Sequence, residues 1–251
     1  MEVFLEKNET IDDLQLKGLR IIQNENWFKY GIDSVLLSDF AKDIKDNATV
    51  VDLGTGTGVL GLLLIGKTNL KKIYGIEVQK NVSEMAKKSV KLNDLEEKFE
   101  IINANIKDII EKNYIKKNSI DYVITNPPYK EKGTGIVNEI DEKIISRHEI
   151  TANLEDFIRV SNDILKDKGT IYMVHRPERL VDIITIMRKY KIEPKRMRFV
   201  HPKIDKEPNI VLIEGKKGAS KFIKIEKPLI IYDAEGKYTE EIRKIYNIEE
   251  G

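Results

Sequence analysis

The sequence predicts an α/β domain built on a mostly parallel, twisted sheet with helices on both faces and an antiparallel closing strand. Three observations carry this. From Ala48 onward, short apolar runs alternate with helical stretches, the pattern of successive βα units. The loop Gly54-Thr55-Gly56-Thr57-Gly58 stands between a strand and a helix, where backbone amides can close on a ligand. The apolar run Ile120-Asp121-Tyr122-Val123-Ile124 leads into Thr125-Asn126-Pro127-Pro128-Tyr129, so a buried strand gives up two consecutive backbone donors as it leaves the sheet.

Each element follows from local pattern. Thr49–Leu53 is a first strand, and Val59–Gly66 opens a helix. Lys72–Glu77 is a second strand. Lys80–Leu92 places Val82, Met85, Ala86, Ser89 and Val90 at helical spacing. Phe99–Ile102 and Asp121–Thr125 are the third and fourth strands. Leu154–Leu165 is a helix with Lys168-Gly169 as its stop. Thr170–His175 is a fifth strand and Glu178–Lys189 a helix. Arg198–His201 and Ile210–Glu214 form a closing antiparallel pair. Lys130–Thr151 is a long charged loop, a length that within a compact domain marks function or mobility. The expected division is an N-terminal appendage over residues 1–47, a main domain over 48–227 and a C-terminal tail or helix over 228–251.

Composition narrows the function class. The 251 residues are 41% hydrophobic and 34% charged, which suits a soluble globular protein with a full core. With no cysteine, disulfides and thiolate zinc sites are excluded. His148, His175 and His201 stand in unrelated contexts, so no metal site is expected. The start MEVFLEKNETIDDLQLKG is acidic and has no apolar signal core. The longest uncharged apolar run, Val59–Ile65, is too short to span a bilayer. A cytoplasmic protein without membrane association, acting as a monomer, is the expectation. The net charge of +1 divides into −4 over residues 1–187, +8 over 188–227 and −3 over 228–251. A basic stretch on a near-neutral chain fits an anionic partner on one face, and equally a solvated lysine-rich surface.

The glycine loop alone leaves two ligands open. Gly56-Thr57-Gly58-Val59-Leu60-Gly61 satisfies the dinucleotide fingerprint G-x-G-x-x-G, and Glu77 at the end of the second strand can bond a ribose in either case. Asp52 tips the balance, because a carboxylate is awkward beside a pyrophosphate but suits the cationic amino-acid end of a ligand.

Asp52-Leu53-Gly54-Thr55-Gly56-Thr57-Gly58, then Glu77, then Asn126-Pro127-Pro128-Tyr129 together resemble the S-adenosylmethionine-dependent methyltransferases that modify amino nitrogens, over roughly residues 48–175. The resemblance implies a Rossmann-like class I methyltransferase. It implies the methionine end of S-adenosylmethionine beside Asp52 on the loop of Gly54, Gly56 and Gly58, the ribose at Glu77 and the adenine edge at Asn105. Many relatives carry Asp at that last position; Asn both donates and accepts.

An exocyclic or amide nitrogen is a poor nucleophile because its lone pair is delocalised. Two acceptors that bond its two N–H groups favour the pyramidal form. The Asn126 side-chain oxygen and the Pro127 carbonyl are the candidates, with Asn126 held extended by the proline that follows it. The Tyr129 ring can stack on a flat base. Rate then comes from positioning and electrostatics.

Sequence beyond this core narrows the substrate. Trp27 to Leu37, Arg147-His148-Glu149 and Val211 to Gly218 are similar to the bacterial tRNA(Val) adenine-N6 methyltransferase family, extending the resemblance to most of residues 14–218. The family implies tRNA as partner, an adenine of the anticodon region as target, and Tyr30 to Asp33 folded over the cofactor. Tyr129, Lys130, Arg147 and His148 are the expected substrate contacts, and the lysine-rich 188–227 stretch would meet phosphates. Three other readings compete. Methylation of a protein glutamine amide is one, although those enzymes carry a helical domain ahead of the loop and only 51 residues precede Asp52. A dinucleotide-dependent oxidoreductase and a non-catalytic RNA-binding relative are the others.

Overall fold

A computed structural model of the chain describes residues 4–26, 31–129 and 152–248. The chain opens with a hairpin, β1 (Glu9–Asp13) and β2 (Arg20–Asn24), followed by α1 (Ile32–Phe40). Four strands and two helices come next: β3 (Thr49–Leu53), α2 (Val59–Lys67), β4 (Lys72–Glu77), α3 (Lys80–Leu92), β5 (Phe99–Asn103) and β6 (Ile120–Thr125). Then follow α4 (Leu154–Ile164), β7 (Leu165–His175), α5 (Leu180–Lys189), β8 (Ile192–His201) and β9 (Ile210–Lys217). The short β10 (Lys224–Ile225), β11 (Leu229–Ile230) and α6 (Glu240–Ile245) close the described chain. None of the described helices is long and apolar enough to cross a membrane.

The nine-stranded sheet runs β10-β8-β9-β7-β6-β3-β4-β5, with β11 also paired to β8. Strands β5, β4, β3, β6 and β7 are parallel; β9 is antiparallel to both its neighbours. The chain builds outward from β3 through β4 to β5, then returns to lay β6 on the other side of β3. That reversal opens a crevice at the carboxyl ends of β3 and β6, where open α/β sheets bind ligands.

Alternation along each strand divides the core between the two faces. Val50 and Tyr172 belong to the layer beneath α1, α2 and α3, while Val51 and Ile171 belong to the layer beneath α4 and α5. The hairpin docks on α3, where Ser89 Oγ accepts the Ile22 amide at 3.0 Å and Lys88 binds Glu9.

The principal strands and helices fall where the sequence places them, with three differences. Strand β7 starts at Leu165, directly after α4, because Lys168 at φ 60° and Gly169 form a bulge inside the strand and do not end a helix. The closing pair is longer than expected, spanning Ile192–His201 and Ile210–Lys217, with a register shift between Pro194 and Arg196 where proline lacks its amide donor. The helix expected from Glu178 begins as a 3-10 turn at Pro177–Arg179. Described parts of residues 1–47 and 228–251 also contribute to the core. Leu36, Leu37 and Phe40 of α1, and Ile242 and Ile245 of α6, are buried in the same layer as α2.

Gly61 explains why the dinucleotide fingerprint is satisfied. A Cβ there would stand 2.3 Å from the ring of Phe99, itself fully buried, so the third glycine serves close packing of α2 on β5 whatever the ligand. Gly61→Ala should cost roughly 1–3 kcal/mol by overpacking, read as a lower Tm by calorimetry. An unchanged Tm would show that Phe99 has room to move.

Candidate active site

The crevice is lined by the ends of β3 to β7. Gly54, Gly56 and Gly58 have φ of 76°, 57° and 87°, left-handed values that L side chains rarely adopt, so the loop needs glycine at each turn. Its backbone is pinned: the Gly54 and Thr55 amides both donate to the Ile76 carbonyl at 3.0 Å. Beneath it lies Phe157 of α4, 3.4 Å from where a Cβ on Gly54 would stand. Around Gly56 that position is open, with nothing within 4 Å.

Asp52 is 1% exposed. Its Oδ2 accepts the Thr55 hydroxyl at 2.6 Å, while Oδ1 is buried without a partner. Burial pushes its pKa up to about 7, the Thr55 bond opposes the shift, and the nearby Glu77 carboxylate adds to it. Glu77 lies alongside, its Oε2 accepting the Gly56 amide at 3.1 Å and its Oε1 the Gln79 amide at 2.8 Å. Burial raises its pKa as well, against the lowering effect of those bonds. Asn103 fastens the same corner, donating to the carbonyls of Glu77 and Val78. Asn105 follows β5 and accepts the Lys107 amide at 3.1 Å, capping the turn at 106–108.

On the other side of the switch point, Thr125 Oγ1 donates to the Leu53 carbonyl at 2.8 Å, tying the end of β6 to the end of β3. Asn126 is half-buried, Pro127 buried and Pro128 exposed. The Tyr129 hydroxyl donates to Asp33 Oδ2 at 2.5 Å. Asp33 lies in the first turn of α1, so the core helix reaches the site through this bond. Burial raises the Tyr129 pKa, and the Asp33 carboxylate adds to the shift, so the phenol stays protonated and donates.

The structure brings Asp52, Gly54, Gly56, Gly58 and Glu77 together at the ends of β3 and β4, and sets Asn126, Pro127 and Tyr129 at the adjoining end of β6 with Tyr129 bonded to Asp33; Asn105 stands at the end of β5, bonded to Lys107. The expected Tyr30, Lys130, Arg147 and His148 lie outside the described residues. Thr55 and Thr125 stand inside the two motifs, but nothing local marks their bonds to Asp52 and Leu53, and Phe157 reads as an ordinary helix residue. Arg176 carries no local signal either, and His175 reads only as the end of a strand. Among the described residues no group of His, Cys, Asp and Glu is arranged to hold a metal ion. The basic stretch is partly neutralised within the fold. Arg196 bonds Glu214 at 2.7 Å, and Arg198 bonds Glu241, Arg188 bonds Glu193 and Lys189 bonds Glu155.

The methyltransferase small domain model matches residues 29–189. This chain belongs to that family. Among its relatives are proteins named tRNA1(Val) (adenine(37)-N6)-methyltransferase. One from Porphyromonas gingivalis is 25% identical, covering 92% of this chain and 91% of that one. Another from Haemophilus influenzae is 26% identical, covering 89% and 92%. Similar solved structures include a predicted O-methyltransferase from Agrobacterium tumefaciens, with a TM-score of 0.68, 20% identity and coverage of 86% of this chain and 95% of that one. The M. jannaschii tRNA m1G37 methyltransferase follows at a TM-score of 0.59, 20% identity, 86% of this chain and 59% of that one. At these identities the structures speak for the fold, the class I methyltransferase α/β sheet.

A carboxylate whose folded pKa lies above its unfolded value loses stability for the fold as pH rises between the two. For Asp52 the window runs from 3.8 to about 7. Asp52→Asn should therefore stabilise the ligand-free protein at pH 8, and the difference from wild type should shrink toward pH 4. One pK unit is about 1.4 kcal/mol, and one kcal/mol moves Tm by roughly 2–4 °C in a chain of this size. Scanning calorimetry across pH checks this, and a variant less stable than wild type at pH 8 would refute it.

Proposed function

We propose that this protein transfers a methyl group from S-adenosylmethionine to the exocyclic N6 of an adenine in the anticodon region of tRNA. One observation carries the reading: a buried carboxylate oxygen without a partner, Asp52 Oδ1, and the Asn126-Pro127-Pro128-Tyr129 turn flank the same switch point. The first suits an ammonium group, the second an amino group on a flat ring. The names and near-full-length coverage of the relatives support the tRNA adenine.

The residues present fit the cofactor. Asp52 Oδ1 has the lone pairs and the burial to receive the amino-acid ammonium. The open side of Gly56 leaves room beside it. Glu77 would accept from the ribose hydroxyls, and Asn105 would meet the adenine edge. When bound, S-adenosylmethionine supplies an electrophilic methyl group on a sulfonium that is its own leaving group.

The chain's own residues supply position and polarity. Asn126 Oδ1 and the Pro127 carbonyl accept the two N6 hydrogens, turning the nitrogen lone pair out of conjugation. Tyr129 stacks on the base, and Asp33 holds the ring in place through its hydroxyl. No side chain has to remove a proton before transfer, because the methylated amine is acidic and releases it to water. Lys130, Arg147 and His148 are proposed substrate contacts, and Tyr30 a cofactor contact.

The test is methyl transfer to tRNA from cells lacking this gene, followed by nucleoside mass spectrometry. N6-methyladenosine is the expected product; label in a peptide would redirect the reading to a glutamine amide. Asn126→Ala should lower kcat by about 100-fold or more while the dissociation constant for S-adenosylhomocysteine stays within about threefold; wild-type turnover would remove Asn126 from the chemistry. Because Asp52 must be ionised to receive an ammonium, cofactor affinity should rise as pH increases through about 7. Calorimetric titrations at pH 6 and pH 8 decide this, and equal affinities would count against Asp52.

A further inference from the structure

Tyr129 cannot swing toward an incoming base, because its hydroxyl is tied to Asp33 on a core helix. Nor is its ring bare. The Arg176 guanidinium lies over it, with Cζ 4.9 Å from the ring centroid, and the His175 ring stands 5.1 Å away at a tilt of 57°. Arg176 is held by a 2.9 Å bond from Nη1 to the Asn209 carbonyl in the β8–β9 connection, and its backbone amide donates to His175 Nδ1 at 2.8 Å. That second bond assigns the neutral imidazole proton to Nε2.

A second observation marks the place. His175 is 1% exposed, yet its Nε2 is buried without a partner, and so is Oδ1 of Asn209. Buried polar groups are almost always bonded. Here a donor and an acceptor, on two of the residues that Arg176 touches, are both left over. The end of β7 is therefore a polar corner whose hydrogen bonding is incomplete in the ligand-free chain.

We infer that Arg176 is the second jaw of the target-base pocket: it rests on Tyr129 until a base enters, then lifts and stacks on that base's other face. The inference rests on the proposal that Tyr129 stacks the methylated adenine. Guanidinium planes and aromatic rings are the two surfaces on which proteins stack unpaired bases. A base between them needs a separation of roughly 7–8 Å, two ordinary contact distances, and the long arginine stem can open that far. The cation–π contact given up is replaced by two stacking contacts, one on each face of the base. Lysine carries the same charge but offers no plane.

The experiment compares two RNA anticodon stem-loops, one with adenine next to the anticodon and one abasic there, by fluorescence anisotropy with saturating S-adenosylhomocysteine. Wild type should bind the adenine form about tenfold more tightly, in the range of one stacked base. Arg176→Ala and the length-preserving Arg176→Met should cut that ratio by about threefold or more, leaving what Tyr129 and Asn126 supply, and Arg176→Lys should do the same, with Tm and S-adenosylhomocysteine affinity unchanged. The inference is overturned if any of these variants keeps the wild-type ratio. It is also overturned if Arg176→Lys behaves as wild type while Arg176→Ala weakens both RNAs equally and lowers the salt slope by about one, the signature of a phosphate contact. A fall in Tm or cofactor affinity in both Arg176→Ala and Arg176→Met would assign a structural role instead. A wild-type ratio of one overturns it too, and tRNA methylation assayed in parallel then decides separately whether the functional reading stands.

Discussion

Parallel pairing of β3 with β6 sets the geometry on which everything else depends. The register Leu53 to Thr125 puts the ends of the two strands level, and the Thr125 hydroxyl then bonds the Leu53 carbonyl. The glycine loop leaves one strand and the Asn126-Pro127-Pro128-Tyr129 turn leaves the other, in adjacent positions. A slip of one residue would reverse which side chains face each layer and would separate the glycine loop from the turn. Burial of both strands on both faces makes such a slip expensive.

The corner formed by Asp52 and Glu77 carries a cost to the fold. Two carboxylates, Asp52 and Glu77, flank one loop and are both nearly inaccessible; burial raises the proton affinity of each, and Glu77 adds to the shift of Asp52. Hydrogen bonds from Thr55, Gly56 and Gln79 offset part of that cost. What they leave over, Asp52 Oδ1, is the polarity available to a cation. Stability and ligand affinity are thus opposed at a single side chain, a common arrangement at functional sites.

Arginine and lysine in the C-terminal third do two jobs. Arg196 bonds Glu214, approaches Asp43 and Glu226, donates to the Phe40 carbonyl and lies 4.2 Å over the Phe40 ring, so it joins α1 to the closing strands. Its charge is consumed inside the fold. The same α1 that Arg196 anchors at its C-terminal end holds Tyr129 through Asp33 at its N-terminal end. The closing strands and the Asn126 to Tyr129 turn are therefore joined mechanically by one buried helix.

Local pattern alone made most of the fold legible: period-two apolar runs for β3 to β6, helical spacing for α3, glycines at the left-handed positions and prolines at the strand exit. These are constraints that act within a few residues of one another, so they are written in the sequence. The motif residues Asp52, Glu77 and Asn126 could be singled out in the same way. What local pattern could not convey is partnership across the fold. That Tyr129 is held by Asp33, 96 positions away, that Arg176 stands on its ring, and that Phe157 supports the glycine loop all depend on which strand lies beside which. The bulge at Lys168 and the neutralised arginines of β8 belong with these, because the pairing energy of a strand edge and the counter-charge of a side chain come from distant segments. Tertiary structure alone decided those contacts, since only the closed sheet brings the segments within bonding distance.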